Sequence, residues 1–363
     1  MSLLPSGWEE MARPLGAMRR GRSFSSAAVL LRTLLVHLAA GCSLAETAVR
    51  VEELGWAKVS PVALFKRLMK AERWLRWIAQ GLWADRRPST SAPGRRLLTV
   101  DATVVKEAGQ TGSQWRIHWV LDLTDLQCHH FELTDSSKGE TFRRVPVRAG
   151  DLVMGDRGYS RPLGIEDIVG RGADVLVRVH RLSLPLTKAD GGPLKLLASV
   201  RGLKVGIVLD RPAFVTGPQG PIAGRLVAIR RGEVATAKAR EQLRRQVSRQ
   251  QRKLRREDLA LAAYVFVWTT LPAKEFTGQR VLDLYRMRWQ IELVFKRMKS
   301  ILGLGQLPKR SDPNARAWLH GKLLVALLLD RLHRQADAFS PWGYTLQEAP
   351  AEEPLAGDAV PLA

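Results

Sequence analysis

Residues 97–105 read LLTVDATVV. Apolar and β-branched side chains fill the run, the composition of a strand buried on both faces, and one carboxylate, Asp101, stands in its middle. Burying a carboxylate there is costly unless it is paired or holds a cation. Residues 115–123 and 127–134 share the texture and are separated by short turns, so the segment predicts a three-stranded meander. Beyond it, residues 139–147 and 162–171 read as helices, and 151–155 and 174–179 as short strands.

A meander followed by alternating helix and strand predicts an α/β fold in the order of a ribonuclease-H-like core. Residues 1–90 read as an all-helical N-terminal domain. Leu30, Leu34, Leu35 and Leu38 recur at helical spacing, Ser43-Leu44-Ala45-Glu46 has the pattern of a capping box, and Ser60-Pro61 opens a further helix after a stop at Gly55. Helix, short turn, helix, with Lys66, Arg67 and Lys70 on the second element, fits a module that lies in a DNA groove and fits ordinary helix packing equally well. Residues 86–93 are a linker rich in turn formers.

Residues 180–264 interrupt the core. Glycine, proline and short β-rich runs extend to 229, and residues 238–256 then hold nine basic residues and one acid. With so few compensating acids, a phosphate-tracking arm is favoured over a merely solvated helix face. A strand at 264–270, a long helix at 278–302 and a last core helix at 316–335 follow, with an acidic tail from about 345. The expected organisation is a catalytic core at 95–179 and 265–335, a β-rich and basic insertion at 180–264, and a flexible tail at 345–363.

The bulk composition narrows the function. The 363 residues are 45% hydrophobic, which suits a folded protein with a real core. Lys and Arg number 57 against 35 Asp and Glu, a net charge of +22, and an excess of that size calls for an anionic partner, most often nucleic acid. Two cysteines, Cys42 and Cys128, exclude a disulfide framework and fit a reducing cytoplasm, and seven scattered histidines form no zinc pattern. Residues 27–42 superficially resemble a lipoprotein signal, but Arg32 and His37 interrupt the apolar run, and no membrane segment is expected.

Two further acids complete a candidate site. Asp156 follows an apolar strand in Gly155-Asp156-Arg157-Gly158-Tyr159, where flanking glycines would let the backbone turn sharply. The helix at 278–302 carries Tyr285, Arg288, Glu292 and Lys299, whose offsets place all four within an arc of about 60° along a stripe roughly 21 Å long. A carboxylate among an aromatic hydroxyl and cations suits a metal-and-phosphate face. Each element also has a plainer reading: Asp101 as a buried hydrogen-bonding aspartate, Asp156 as a turn cap, and Glu292 as the centre of a surface ion-pair stripe with Arg288 and Lys296.

Taken together, these residues resemble the bacterial insertion-sequence transposases of the DDE type, within the subgroup defined by a Tyr-Arg-Glu-Lys signature (insertion-sequence-4-like). The resemblance spans roughly residues 25–335. It implies that Asp101, Asp156 and Glu292 are the catalytic metal ligands, holding two Mg²⁺ (or Mn²⁺) ions that activate the attacking oxygen and stabilise the leaving one. It implies that Tyr285, Arg288 and Lys299, with Lys296 and Arg157, contact the phosphates of double-stranded DNA at terminal inverted repeats and target. It implies a homodimeric synaptic complex, cut-and-paste chemistry at the bacterial nucleoid, and, in studied relatives, a hairpin intermediate supported by an aromatic that Phe266 or Trp268 could supply. Asp122 is the rival acid, expected behind Asp101. A stand-alone metal nuclease or an inactive DNA-binding remnant are the competing readings.

Overall fold

The computed structural model describes residues 3–19, 23–84, 95–107, 113–251, 253–307 and 312–338. The linker at 86–93 and the tail at 345–363 lie outside them. Four helices come first: α1 (Ala27–Ala40), α2 (Leu44–Glu53), α3 (Pro61–Lys70) and α4 (Glu72–Ala84). Their ends follow the sequence. Ser26 accepts from the Val29 N–H, and Gly41 closes α1 at φ 70°. Ser43 and Glu46 form the reciprocal capping box, and Ser60 with Pro61 opens α3.

The sheet follows. The meander is β1 (Leu97–Glu107), β2 (Ser113–Asp122) and β3 (Gln127–Asp135). Then come β4 (Leu152–Gly155), α5 (Pro162–Gly170), β5 (Asp174–Arg178), β6 (Leu186–Thr187), α6 (Leu196–Ser199), β7 (Val208–Gly217), β8 (Gly220–Arg230), α7 (Glu233–Arg249), α8 (Arg256–Leu261) and β9 (Tyr264–Thr269). The chain ends with α9 (Gly278–Met287), α10 (Gln290–Ser300), β10 (Gln306–Leu307) and α11 (Asp312–Ala338).

All the strands join one mixed sheet in the order β3-β2-β1-β4-β5-β9-β8-β7-β6, with β10 against β1. β1, β4 and β5 run parallel, and β9 pairs antiparallel with both β5 and β8. The chain from 180 to 264 therefore extends the same sheet through β6, β7 and β8. One face of the sheet packs on a cluster holding Trp119, Met154, Leu176 and Val227 together with apolar residues of α1, α3, α4, α9, α10 and α11. The other face, with Val100, Val153, Val177 and Trp268, is covered by Phe142, Ile165 and Ile168. No helix among the described residues is long and apolar enough to cross a membrane.

α11 links the two ends of the chain. Leu319, Leu323 and Leu324 are buried with Leu30, Leu34 and Leu38 of α1. A side chain at Gly321 would meet Leu38 at 2.5 Å, so only glycine allows this approach. His320 lies 3.0 Å from Glu72 of α4.

Two expectations are corrected. Residues 139–147 hold only a three-residue 3₁₀ turn at Phe142–Arg144, because Pro146 confines Val145 to extended backbone (ψ 117°) and stops a helix there. The long helix at 278–302 is two helices. Across Arg288 and Trp289 the backbone bonds shorten to the i→i−3 type: Arg288 N–H to the Tyr285 carbonyl at 3.2 Å and Glu292 N–H to that of Trp289 at 2.9 Å. The tightened turn carries the Arg288 side chain inward, 14% exposed, and leaves Trp289 outside, 51% exposed.

Candidate active site

Strand register brings the two aspartates together. Val100 of β1 pairs with Gly155 of β4, so Asp101 and Asp156 directly follow the last paired rung of two neighbouring parallel strands. An anchor at the other end of the pair fixes that register: Arg96 grips Asp151 through Nε and Nη2, at 2.8 and 2.5 Å, and Asp151 is 1% exposed. β4 ends at Gly155 and β10 joins β1 only at Lys106, so from Asp101 to Val105 that edge of β1 has no strand beside it among the described residues. Into this gap come the turn after β4 and the α9–α10 junction.

Asp101 accepts from the Ala102 N–H at 2.7 Å, and its other oxygen lies 3.7 Å from the Arg288 guanidinium. Burial, and next to it the charge of Asp156, push the Asp101 carboxyl up to about 7, against the pull of Ala102 and Arg288. Asp156 does cap the following turn, accepting from the Gly158 N–H at 2.7 Å. The flanking glycines act by close approach rather than by unusual backbone angles. A side chain at Gly155 would meet Phe142 and Tyr159 at 2.7 and 2.8 Å, and one at Gly158 would meet Glu140 at 1.9 Å.

Glu140, which the sequence did not single out, is therefore part of the site. Burial and then Asp156 raise its pKa. Tyr159 stands among Asp101, Glu140 and Asp156 with its hydroxyl buried and, among the described residues, without a hydrogen-bond partner, and its pKa is raised chiefly by burial. Residues 139–147, lying between strands and far from any motif, offered no periodic signal of this.

The signature residues divide. Tyr285 and Arg288 sit together, the guanidinium 5.8 Å from the ring centroid, and burial raises the Tyr285 pKa. Arg288 bonds Glu292 at 2.5 Å while it faces Asp101, so one guanidinium stands between two of the three acids, where a cation would be held. The Glu292 side chain is 57% exposed. Lys296 and Lys299 are exposed farther along α10. Arg157 is exposed beside Asp156 and lies near Arg178 and Arg231, whose charges repel it. Among the described residues, no three His, Cys, Asp or Glu side chains are gathered closely enough to hold a metal ion. Asp101 and Asp156 alone fit a hard divalent cation: paired oxygen donors whose mutual repulsion such an ion would relieve.

Three other sequence candidates fall elsewhere. Asp122 pairs with Leu98, three rungs from Asp101, and its side chain leaves the opposite face of the sheet. Trp268 is fully buried, donating to the Ala213 carbonyl at 3.0 Å, and Phe266 is 6% exposed, so both are core and neither can receive an extruded base. Arg67 of α3 is tied to the Ala17 carbonyl at 2.9 Å, whereas Lys66 and Lys70 are exposed. Cys42 and Cys128 are free and buried.

The site is thus an acid pair in a gap of a mixed sheet, bridged to a third acid by an arginine. Residues 92–328 match the family model described as the transposase DDE domain. The chain is 34% identical over 346 residues to the transposase for insertion sequence element IS421 of Escherichia coli, covering 93% of each chain. It is equally similar, 34% over 345 residues and 93% of each chain, to the protein InsL of insertion sequence element IS186A of Escherichia coli (strain K12). A more distant relative is the transposase for insertion sequence element IS231B of Bacillus thuringiensis subsp. berliner, 22% identical over 368 residues, covering 90% of this chain and 77% of the relative. The chain belongs to the DDE transposase family, whose members are enzymes that work with divalent metal ions.

Proposed function

We propose that this enzyme excises and inserts its DNA element by cut-and-paste transposition, cutting at terminal inverted repeats and joining the freed ends to target DNA. The carrying observation is the Asp101–Asp156 pair, set side by side by the β1–β4 register at an opening of the sheet. Asp101 and Asp156 would hold Mg²⁺ or Mn²⁺, two ions per site once Glu292 turns from Arg288 to join them, and these would supply Lewis-acid activation of the scissile phosphate. In this reading Arg288 keeps the acids apart and partly neutralised before DNA arrives. It is then free to pair with phosphate, beside Tyr285, with Arg157 contacting the backbone next to Asp156 and Lys296 and Lys299 farther out.

The order β1-β2-β3, β4, α5, β5 supports a ribonuclease-H-like core. The capped helices α1 to α4 support an N-terminal helical region that binds DNA, with β6 to β8 and the basic α7 as an insertion between β5 and β9. The paired Tyr285 and Arg288 support membership of the Tyr-Arg-Glu-Lys subgroup. We take the working form as a homodimer on two DNA ends, in the bacterial cytoplasm.

The test uses labelled DNA carrying the repeats that flank the gene, with Mg²⁺ or EDTA, for the wild type and Glu292→Ala. Metal-dependent cutting at the repeat ends by the wild type alone, followed by joining to a second DNA, is the expected result. Cutting without joining would make the protein a nuclease. Binding by both proteins with cutting by neither would make it a DNA-binding remnant.

A further inference from the structure

The sheet face that carries Asp101 and Asp156 continues beyond them. β4 pairs with β5 through Gly155 and Val177, so the next rung sets Arg178 beside Asp156. Arg178 points to the same side as Leu176, which lies in the core cluster of Met154. Two strands further, Val227 and Ile229 of β8 face that cluster, and Arg231 follows two residues past Ile229, its N–H donating to the Ala263 carbonyl at 2.8 Å. Arg157 projects from the turn after Asp156.

The three guanidiniums repel one another. Among the described residues the buried Nε atoms of Arg178 and Arg231 have no hydrogen-bond partner, and no carboxylate forms an ion pair with Arg157, Arg178 or Arg231. Unpartnered buried donors and crowded like charges both destabilise a fold. An arriving phosphate relieves both, because the planar guanidinium presents a fork of donors to its oxygens. The row also leads outward: α7 starts two residues after Arg231, buries no residue, and carries Lys238, Arg240, Arg244, Arg245 and Arg249.

We propose that Arg157, Arg178 and Arg231 form a binding subsite for a backbone phosphate of the DNA strand that enters the acid pair. The proposal rests on the transposase reading and adds a place and a ligand group to it. The subsite holds the strand next to the scissile bond, and α7 carries the track onward.

The experiment measures binding of end DNA in EDTA, where no cutting occurs, across a salt series. It compares the wild type with Arg178→Gln/Arg231→Gln and with Arg178→Lys/Arg231→Lys. The glutamine pair should lower the slope of log affinity against log salt by about one for each phosphate that is no longer neutralised. Its melting temperature should hold or rise, because the repulsion is gone. In a second arm, single neutral methylphosphonate linkages are stepped across the DNA terminus. One or two positions should weaken wild-type binding by about tenfold and leave the glutamine pair unaffected. The lysine pair keeps the charge without the fork, is available for the same arm if the glutamine pair does not fold, and should lose part of the position dependence. An unchanged slope, or methylphosphonate effects identical in wild type and variants, would overturn the subsite while leaving the transposase reading in place. A wild type that binds no end DNA would overturn both.

Discussion

Asp101 feels the charge of a second carboxylate, Asp156, and lies 3.7 Å from a guanidinium, so removing its charge changes the site without emptying it. Asp101→Asn should reduce end cleavage by on the order of a thousandfold or more, several kcal/mol of lost charge stabilisation. DNA binding should hold or tighten, because one negative charge leaves a surface that receives phosphates. Asp122→Asn, on the opposite face, should change cleavage only a few-fold; equal losses in a gel cleavage assay would contradict this geometry. His118 gives a pH prediction. It is 3% exposed, and burial, then Arg144, lowers its pKa from 6.5 to about 4. Below pH 6.5 the unfolded chain takes up a proton that the folded chain refuses. Stability from this group is thus complete above 6.5 and is lost as the pH falls toward 4, on the order of 3 kcal/mol in all. Denaturant titrations across that window should show the loss, and His118→Gln should flatten it.

Elements position these residues, and the shortest of them matter most. β4 has four residues, and its register on β1 is fixed where Arg96 grips the buried Asp151. Arg96→Ala leaves that carboxylate with only the longer contact to Arg148 at 3.6 Å and should cost on the order of 2 kcal/mol, read as a shifted denaturation midpoint. End cleavage should fall with it, whereas Arg96→Lys should recover part of both. A variant as stable as the wild type would mean that other contacts set the register. Much at this scale was legible: the apolar run around Asp101, the capping box at Ser43 and the β-rich texture of the meander each depend on neighbours in sequence. The break at Arg288 was not, since no glycine or proline marks it and the apolar spacing passes through unbroken; the inward pull on Arg288 comes from a strand some 190 residues earlier. The place of Trp268 was no more legible, because its burial depends on Ala213 and Gly224 across two other strands. Glu140, Arg178 and Arg231 likewise become neighbours only when the sheet is assembled.

The whole molecule carries a net charge of +22, and its exposed basic helix α7 has no buried face. Affinity for any DNA should therefore fall steeply with salt, by about 10³-fold or more between roughly 50 and 200 mM if six or more phosphates are neutralised. A dissociation constant that barely changes over that range would show that base contacts, rather than counterion release, dominate binding. The apolar run inside α11 is bounded by Lys322 and Asp330, far short of a bilayer's thickness, so this helix does not cross a membrane.

α11 has one more consequence, for the order in which the protein is made. The apolar stripes of α1 and α4 are covered by α11, whose first residue leaves the ribosome about 230 residues after the last of α4. At about 5–20 residues per second that is a wait of roughly 10–45 s, during which the stripes that α11 will cover stay open and chaperones have the opportunity to hold them. A chain cut short anywhere before α11 never ends that wait. Truncated copies of the gene should therefore yield products that proteases clear quickly, leaving only chains translated through the last core helix to accumulate and reach DNA.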